Sequence, residues 1–321
     1  MSPPPIAVWT ALATVYLVWG STYLAIRVVV EAGMPPLLSM GARFLAAAVL
    51  LAVVVRVRRG PRALRVSGRE LLGSLVVGVL LLLGGNGLVA VAEQTVPSGL
   101  AALLVATTPL WLVLLRLVAN ERPRAATWVG VLVGFFGVAL LALRGGGLPG
   151  VQSWGVALIV AATLSWAVGS FFAGRLGLPG DPLVATAWEM ALGGGALGLA
   201  GLAAGEAASL DVRAVPVGGW VALAYLVTVG SMLGYSAYVW LLANAPISLV
   251  ATYAYVNPVV AVALGALVLA EPVTAVVLGG GALVVLGVAL VVRVERPRRS
   301  AGARGAPTRA PALAGAGERD G

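Results

Sequence analysis

The sequence predicts an all-α integral membrane protein with ten transmembrane helices, arranged as two inverted five-helix repeats. Three observations carry this prediction: the composition, the length of the apolar runs, and a proline pattern that occurs twice. Of the 321 residues, 60% are hydrophobic and 10% are charged, and the mean hydropathy is +1.01. Soluble domains are about half apolar and about one quarter charged. A chain of this composition is therefore expected to lie in a lipid bilayer.

Ten apolar runs, each about 19–24 residues long, match the length that a helix needs to cross a bilayer. They are bounded by Pro, Gly or Arg and lie near residues 7–29, 36–56, 70–91, 97–118, 125–143, 152–173, 182–204, 217–241, 246–269 and 273–293. The connections are short and leave no room for a soluble domain. Residues 294–321 are polar and rich in Arg, Ala and Gly, which predicts a disordered cytoplasmic tail.

Three prolines recur after the same interval of 149 residues: Pro97, Pro109 and Pro123, followed by Pro246, Pro258 and Pro272. A proline within a helix removes a backbone hydrogen bond and bends the helix. Membrane helices tolerate this where a neighbour or cavity water pairs the freed carbonyl. Pro109 and Pro258 are therefore predicted to kink the fourth and ninth spans beside a binding site and to act in gating. The alternative is a duplicated scaffold that binds no ligand.

The proline pattern divides the chain into two repeats, residues 7–143 and 152–293. Since each repeat contains five predicted spans, an odd number, the second repeat enters the membrane from the opposite side. Inverted repeats of this kind supply the inward-open and outward-open states of alternating-access transporters.

The arginines predict the orientation of the spans. All 21 basic residues are Arg, and 17 of them fall on one side of the predicted array. Because cytoplasmic loops carry the excess of Arg and Lys, both termini are predicted to be cytoplasmic, in the plasma (inner) membrane. The basic charge of the chain is thus explained by membrane topology. We therefore expect no nucleic-acid partner.

The residue types that are missing exclude several classes of chemistry. The chain contains no Cys, His or Lys, which rules out thiolate and histidine metal sites, Ser-His-Asp triads, Schiff-base lysines and P-loops. We therefore expect no enzyme activity, no cofactor and no metal. The glycine runs 193–195 and 279–281 lie in apolar spans and are predicted to allow close helix packing.

Three stretches resemble the EamA-type transporters of the drug/metabolite transporter superfamily. They read WGSTYLAIRVVVEAGMPPLLSMGARFLAAA from Trp19, AEQTVPSGLAALLVATTPLW from Ala92, and ANAPISLVATYAYVNPVVAVALGALVLAEPVT from Ala243. The resemblance covers nearly the whole chain except the tail. It implies a ten-helix inner-membrane transporter, often an exporter of amino acids, small metabolites or drugs. Because members differ widely in what they move, the motifs do not identify the substrate.

Aromatic and polar residues inside the spans predict a cavity near the middle of the membrane. The predicted substrate-binding residues are Trp19, Ser21, Tyr23, Asn86, Thr108, Trp166, Ser170, Tyr235, Tyr253 and Asn257. Aromatic walls would exclude water, and the amides and hydroxyls would orient a small solute. The same side chains also suit contacts between helices, and the sequence leaves both interpretations open.

Two charged residues, Arg43 and Glu189, lie inside spans, where a charge costs at least ~2.5–3.5 kcal/mol on insertion scales. Each follows its aligned proline by seven residues, but the two helices start on opposite membrane faces. At 1.5 Å per residue the two side chains are then separated by roughly 10 Å in depth. We predict that they line opposite vestibules rather than pair. Glu189 is also the candidate for ion coupling, with a structural role as the alternative.

These observations predict a secondary transporter that exports a small organic solute, an amino acid, metabolite or drug, by alternating access. Its other partner is the lipid bilayer. The alternatives are an importer or facilitator of the same fold, or a lipid-handling membrane protein. The sequence leaves open whether two copies form a homodimer.

Overall fold

The computed structural model describes residues 4–120, 123–144, 148–245, 247–250 and 252–294. Within these ranges the chain is helical and contains no β-strand. Pro246 of the predicted proline pattern and residues 295–321 of the predicted tail lie outside the described residues.

The helices are numbered in chain order. They are α1 (Pro5–Glu31), α2 (Pro36–Arg59), α3 (Gly68–Ala92), α4 (Ser98–Val118), α5 (Ala125–Arg144), α6 (Ser153–Ala173), α7 (Pro182–Ala203), α8 (Val217–Tyr225, Leu226–Leu233 and Gly234–Asn244), α9 (Ile247–Val250 and Tyr253–Leu269) and α10 (Ala275–Val294). Eight helices in the described ranges are long and apolar enough to cross a membrane. The other two, α5 and α9, hold shorter apolar stretches, Ala125–Leu141 and Tyr253–Leu269. The all-α membrane class is therefore confirmed.

The helices pack in a pattern that is repeated between the two parts of the chain. The most extensive helix–helix contacts are those of α2 with α7 and of α5 with α10. Helix α1 packs against α8 and α9, and α6 packs in the same way against α3 and α4. If each helix of the first half (α1–α5) is replaced by its counterpart in the second half (α6–α10) and the reverse, the same helix pairs are obtained. The six helices α1, α3, α4, α6, α8 and α9 surround the centre of the molecule.

Glycines bring the paired helices into backbone contact. A Cβ atom at Gly287 of α10 would lie 2.6 Å from the carbonyl oxygen of Gly130 on α5. A Cβ at Gly41 of α2 would lie 2.8 Å from the amide nitrogen of Gly198 on α7. Without a hydrophobic driving force between helices in lipid, such close approach is a main source of association.

The predicted packing role of the two glycine runs is right for four of their six members. A Cβ atom at each of these four would contact a neighbouring helix at 3.0 Å or less: Gly193, Gly194, Gly280 and Gly281. Gly195 and Gly279 have no atom within 4 Å of the corresponding position. Each run therefore directs part of its surface away from the helix pair.

Polar contacts fix both ends of the α2–α7 pair. The carboxylate of Glu206, just after α7, accepts hydrogen bonds of 2.8 and 3.2 Å from backbone N–H groups in the first turn of α2. At the other end, Arg59 of α2 forms an ion pair with Asp181, the residue that caps the start of α7. A similar cap stabilises the N-terminus of α4. There the carboxylate of Glu271 accepts hydrogen bonds of 2.8 and 3.1 Å from the backbone N–H groups of Ser98 and Gly99.

Four departures from regular α-helix occur, two in each half of the chain and on equivalent helices. A π-helical segment replaces the α-helix over Val79–Gly87 in α3 and over Leu226–Leu233 in α8. Helix α4 is interrupted between Val105 and Thr108, and in α9 a turn at Thr252 precedes the segment that begins at Tyr253. Such segments release backbone groups from the regular ladder and are frequent at functional sites.

The prediction that Pro109 kinks the interior of a helix is wrong in detail. Pro109 lies in the first turn of the second α4 segment, Thr108–Val118, where its missing N–H leaves no intrahelical bond unmade. Pro258, in contrast, lies inside the second segment of α9, as predicted. The two repeats therefore interrupt their helices at different distances from the aligned prolines.

We expect Gly287→Ala to lower the free energy of unfolding by about 1–3 kcal/mol, because the added methyl group must separate the α5 and α10 backbones. Thermal unfolding of the purified protein, followed by circular dichroism, measures this loss. The matched control is Gly279→Ala on the same helix, which meets no atom within 4 Å and should keep or raise stability. Equal melting temperatures for the two variants would contradict the backbone contact.

Glu271→Ala is expected to cost about 1–3 kcal/mol of stability, since it leaves two backbone N–H groups at the start of α4 without their acceptor. The same unfolding assay applies. Glu31→Ala is the control, because its ion pair with Arg27 is exposed and should contribute little. A Glu271→Ala protein as stable as the control would show that water replaces the cap.

Candidate functional site

A cavity of about 290 Å³ lies where α1, α3, α4, α6, α8 and α9 meet. Eleven of the residues singled out from the sequence line it: Trp19, Tyr23, Arg43, Asn86, Thr108, Pro109, Trp166, Tyr235, Tyr253, Asn257 and Pro258. They come from four helices of the first half and three of the second. The cavity is thus built by both halves of the chain.

Three of the residues predicted for this region do not line the cavity. Ser21 shares a hydrogen bond of 2.6 Å with the hydroxyl of Tyr225 and so faces α8. It is two residues from both Trp19 and Tyr23, a spacing that places side chains on different sides of a helix. Ser170 is exposed and lies one turn beyond Trp166, where α6 has passed the cavity. Glu189 is partly buried in α7 and also lies outside the lining.

Four aromatic rings form one wall of the cavity. The ring of Trp19 lies 5.5 Å from that of Tyr235, 4.9 Å from Tyr238 and 5.3 Å from Tyr253. Tyr238 and Tyr253 also meet edge to face at 5.9 Å. Edge-to-face and tilted packing is the favoured geometry for aromatic pairs. The cluster joins α1, α8 and α9 through apolar surface.

Beside this aromatic cluster, the side-chain amide of Asn257 links α9 to α1. With its nitrogen directed to the nearest acceptors, it donates to the carbonyl oxygens of Tyr16 and Tyr253, both at 3.3 Å. A Cβ atom at Gly20 would lie 3.1 Å from the carbonyl oxygen of Asn257. Gly20 therefore permits the close approach of α1 that this contact requires.

The opposite wall is formed by the π-helical segment of α3. Asn86 lines the cavity there and donates from its amide nitrogen to the carbonyl oxygen of Leu81 at 3.3 Å. A Cβ atom at Gly85 would lie 2.7 Å from the ring of Trp166. The side chain of Ser165 donates to the carbonyl oxygen of Leu80 at 2.8 Å. The irregular α3 backbone thus positions α6 and its Trp166 ring.

Sequence reasoning missed Thr163 among the lining residues and left Thr22 out of the predicted binding residues. Thr22 and Thr163 both face the cavity, and Thr163 accepts a hydrogen bond of 3.0 Å from the indole nitrogen of Trp111. A signal was present, because each threonine is three residues from a predicted tryptophan, Trp19 or Trp166. Residues at this spacing share a helix face.

Arg43 lies in the cavity wall and is 3% exposed. Its Nε donates to the hydroxyl of Ser231 at 3.0 Å, and its Nη1 lies 3.7 Å from the sulfur of Met40. The guanidinium carbon is 4.6 Å from the centre of the Phe44 ring. Among the described residues, no carboxylate lies within 4.0 Å of this cation, and Glu189 does not pair with it.

Glu93 is a second buried charged residue, at the end of α3 one turn beyond the cavity residue Val89. Neither of its carboxylate oxygens has a hydrogen-bond partner among the described residues. The guanidinium of Arg27 donates instead to the backbone carbonyl of Glu93 and pairs with Glu31 at 2.6 Å. This contact holds α1 against the end of α3.

The model of the EamA-like transporter family matches the chain twice, over residues 6–143 and 153–293. Together these matches span nearly all of the helical part of the chain. The chain belongs to the EamA-like transporter family. The resemblance stated from the sequence is therefore confirmed, and the protein is a membrane transporter.

Several known proteins are similar to this chain over most of its length. The "Uncharacterized inner membrane transporter YedA" of Escherichia coli K12 is 42% identical over 257 residues, which cover 79% of this chain and 80% of the relative. An "Uncharacterized transporter" of Archaeoglobus fulgidus is 24% identical over 287 residues, covering 89% and 98%. One solved structure, described as "Crystal structure of protein", superposes with a TM-score of 0.59 at 21% identity and covers 89% and 96%. That likeness shows the fold alone.

Asn257→Leu should lower the unfolding free energy by about 1–3 kcal/mol, since it removes the amide that bridges α9 to the carbonyl oxygen of Tyr16. Thermal unfolding again measures the change. Asn244→Leu serves as the control, because that amide bonds only within its own helix, to the carbonyl of Trp240. If both variants lose the same stability, the interhelical contact contributes nothing.

Proposed function

We propose that this EamA-family protein is a secondary transporter that exports a small organic solute across the bacterial inner membrane by alternating access. The observation that carries the proposal is the cavity, which equivalent helices of the two halves build together. A site placed between two related halves can be opened to either side by moving one half against the other.

The proposed architecture is ten transmembrane helices in two inverted repeats, residues 7–143 and 152–293. Three observations support it: the exchange symmetry of the helix contacts, the matching π-helical segments of α3 and α8, and the two separate family-model matches. Five helices per repeat require the second repeat to enter from the other side of the membrane.

The proposed orientation has both termini in the cytoplasm. The clustering of 17 of the 21 arginines on one side of the array supports it. The inner membrane is proposed because the relative YedA is named an inner membrane transporter.

In the proposed site, the aromatic cluster of Trp19, Tyr235 and Tyr253 contacts the apolar part of the solute. The side chains of Asn86 and Thr108 supply hydrogen bonds that fix its orientation. Such sites combine apolar walls with a few well-placed polar groups.

The interruptions of α4 and α9 are the proposed hinges. Both border the cavity, since Val105, Thr108, Val250 and Tyr253 are among its lining residues. The glycine-packed pairs α2–α7 and α5–α10 would keep their contacts while the segments beside the cavity move. Pro109 and Pro258 lie next to these breaks and belong to the same proposed gate.

The proposal is tested by a solute screen on the protein reconstituted in liposomes. Candidate amino acids, metabolites and drugs are loaded on one side, and their release is measured against protein-free liposomes. We expect at least one solute to be moved, and Trp19→Ala to lower that rate at least about tenfold, a loss of about 1.4 kcal/mol of transition-state stabilisation. The control is Trp220→Ala, whose side chain is 42% exposed and outside the cavity.

Each other outcome has a definite meaning. Movement that follows the solute gradient equally in both directions would replace export by facilitation, and uptake alone would make the protein an importer. Movement of fluorescent phospholipid without any solute would favour lipid handling. Transport with equal rates in the two tryptophan variants would keep the function and remove the cavity from it.

Glu189 is the proposed ion-coupling residue, because it is a carboxylate within the apolar part of α7. We expect Glu189→Gln to abolish the dependence of transport on a pH gradient, since an amide cannot exchange a proton. The solute found in the screen is used with and without the gradient, and Glu31→Gln, at an exposed position, is the control. A Glu189→Gln protein that still responds to the gradient would assign coupling elsewhere.

A further inference from the structure

One charged side chain is part of the cavity lining. Among the residues that line it, Arg43 carries the formal charge, and the rest are aromatic, aliphatic, hydroxyl or amide side chains. A cavity with one cation and apolar walls attracts anions and repels organic cations. Charged residues inside membrane proteins typically mark substrate or ion pathways.

The contacts of Arg43 leave most of its donors without a strong acceptor. A guanidinium group carries five N–H donors. The described contacts use the Nε–H, on the Ser231 hydroxyl, and one Nη1–H, on the Met40 sulfur, which is a weak acceptor. The side chain is nine-tenths or more buried, so bulk water does not surround these donors.

The neighbours of Arg43 position it but do not neutralise it. Phe44 offers its ring face at 4.6 Å, and Ser231 orients the guanidinium from the π-helical segment of α8. A buried arginine without a carboxylate is costly. A carboxylate brought by the solute would remove that cost while the cavity is occupied, and it could bind bidentately to the planar guanidinium.

We infer that Arg43 is the counter-ion for a carboxylate on the transported solute, whose apolar body lies against the ring cluster of Trp19, Tyr235 and Tyr253. The inference rests on the proposed function and names the solute class: a small organic carboxylate with an apolar body. Ser231 is then a positioning residue that acts through Arg43.

The competing ligand chemistry is an organic cation, because aromatic rings also attract cations. Two features count against it. The Trp19 ring is already packed against three tyrosine rings at 4.9–5.5 Å, and a second cation beside Tyr235 would meet the field of Arg43. The low dielectric of a buried site strengthens that repulsion.

The test uses pairs of probes that differ only at the carboxyl group. Phenylacetate is compared with phenylacetamide, 3-phenylpropanoate with its amide, indole-3-acetate with its amide, and hexanoate with its amide. Phenethylamine represents the cations. Binding to the purified full-length protein is followed by tryptophan fluorescence and by thermal shift at constant ionic strength.

We expect at least one carboxylate to bind at least about tenfold more tightly than its amide, which corresponds to about 1.4 kcal/mol. Arg43→Gln should remove this preference, and Arg43→Lys should keep part of it because the positive charge remains. Ser231→Ala should reduce the preference without abolishing it, and it covers the case in which Arg43→Gln fails to fold. Arg213→Gln removes an exposed charge outside the cavity and should change nothing.

The remaining outcomes overturn the inference and separate it from the proposed function. If amides or phenethylamine bind as tightly as carboxylates and Trp19→Ala abolishes that binding, the transporter site stands and the anion class falls. If the carboxylate preference survives in Arg43→Gln, another group supplies the charge. If no probe binds, the inference is overturned, and the liposome screen decides the function independently.

Discussion

Every backbone N–H and carbonyl group that lies in a lipid bilayer has to find its hydrogen-bond partner inside the protein. This constraint explains why the described chain is helical and where it stops being regular. The π-helical segment of α3 and the breaks in α4 and α9 reach the cavity, and the π-helical segment of α8 ends two residues before the lining residue Tyr235. Polar side chains or water can pair the released groups there. The helices of the two glycine-packed pairs, α2, α5, α7 and α10, are continuous. Irregular backbone is therefore concentrated at the site.

The same constraint shapes the frame around the site. Because lipid offers no hydrophobic driving force between helices, association depends on close packing, and glycines such as Gly41 and Gly287 bring paired backbones together. Each of the resulting pairs, α2–α7 and α5–α10, consists of one helix from the first half and one from the second. The other six helices supply most of the cavity lining, to which α2 adds Arg43 and α10 adds Val292. Rigid pairs beside interrupted helices are a physical basis for the rocking motion of an alternating-access transporter.

The cavity combines a large aromatic surface with a single cation. The ring cluster and Asn257 hold α1, α8 and α9 together, so the same residues stabilise the fold and form the proposed binding wall. The two interpretations left open by the sequence, cavity lining and contact between helices, are thus both true of Trp19 and Tyr253. Arg43 differs from them, because no carboxylate of the described chain completes its environment. That is why the proposed substrate class depends on Arg43.

The sequence by itself determined the membrane class, the family, and the positions of the helices, because apolar length, composition and proline spacing are local properties of the chain. It also singled out eleven residues that line the cavity, eight of them as predicted cavity residues, since mid-span polar and aromatic groups are rare in lipid and stand out. It misplaced Ser21 and Ser170, missed Thr163, and placed Pro109 inside a helix that in fact begins beside it. Only the tertiary structure decided these points. Which side of a helix faces a cavity depends on the neighbouring helices, and their approach is set by glycine contacts between residues more than 100 positions apart in the chain.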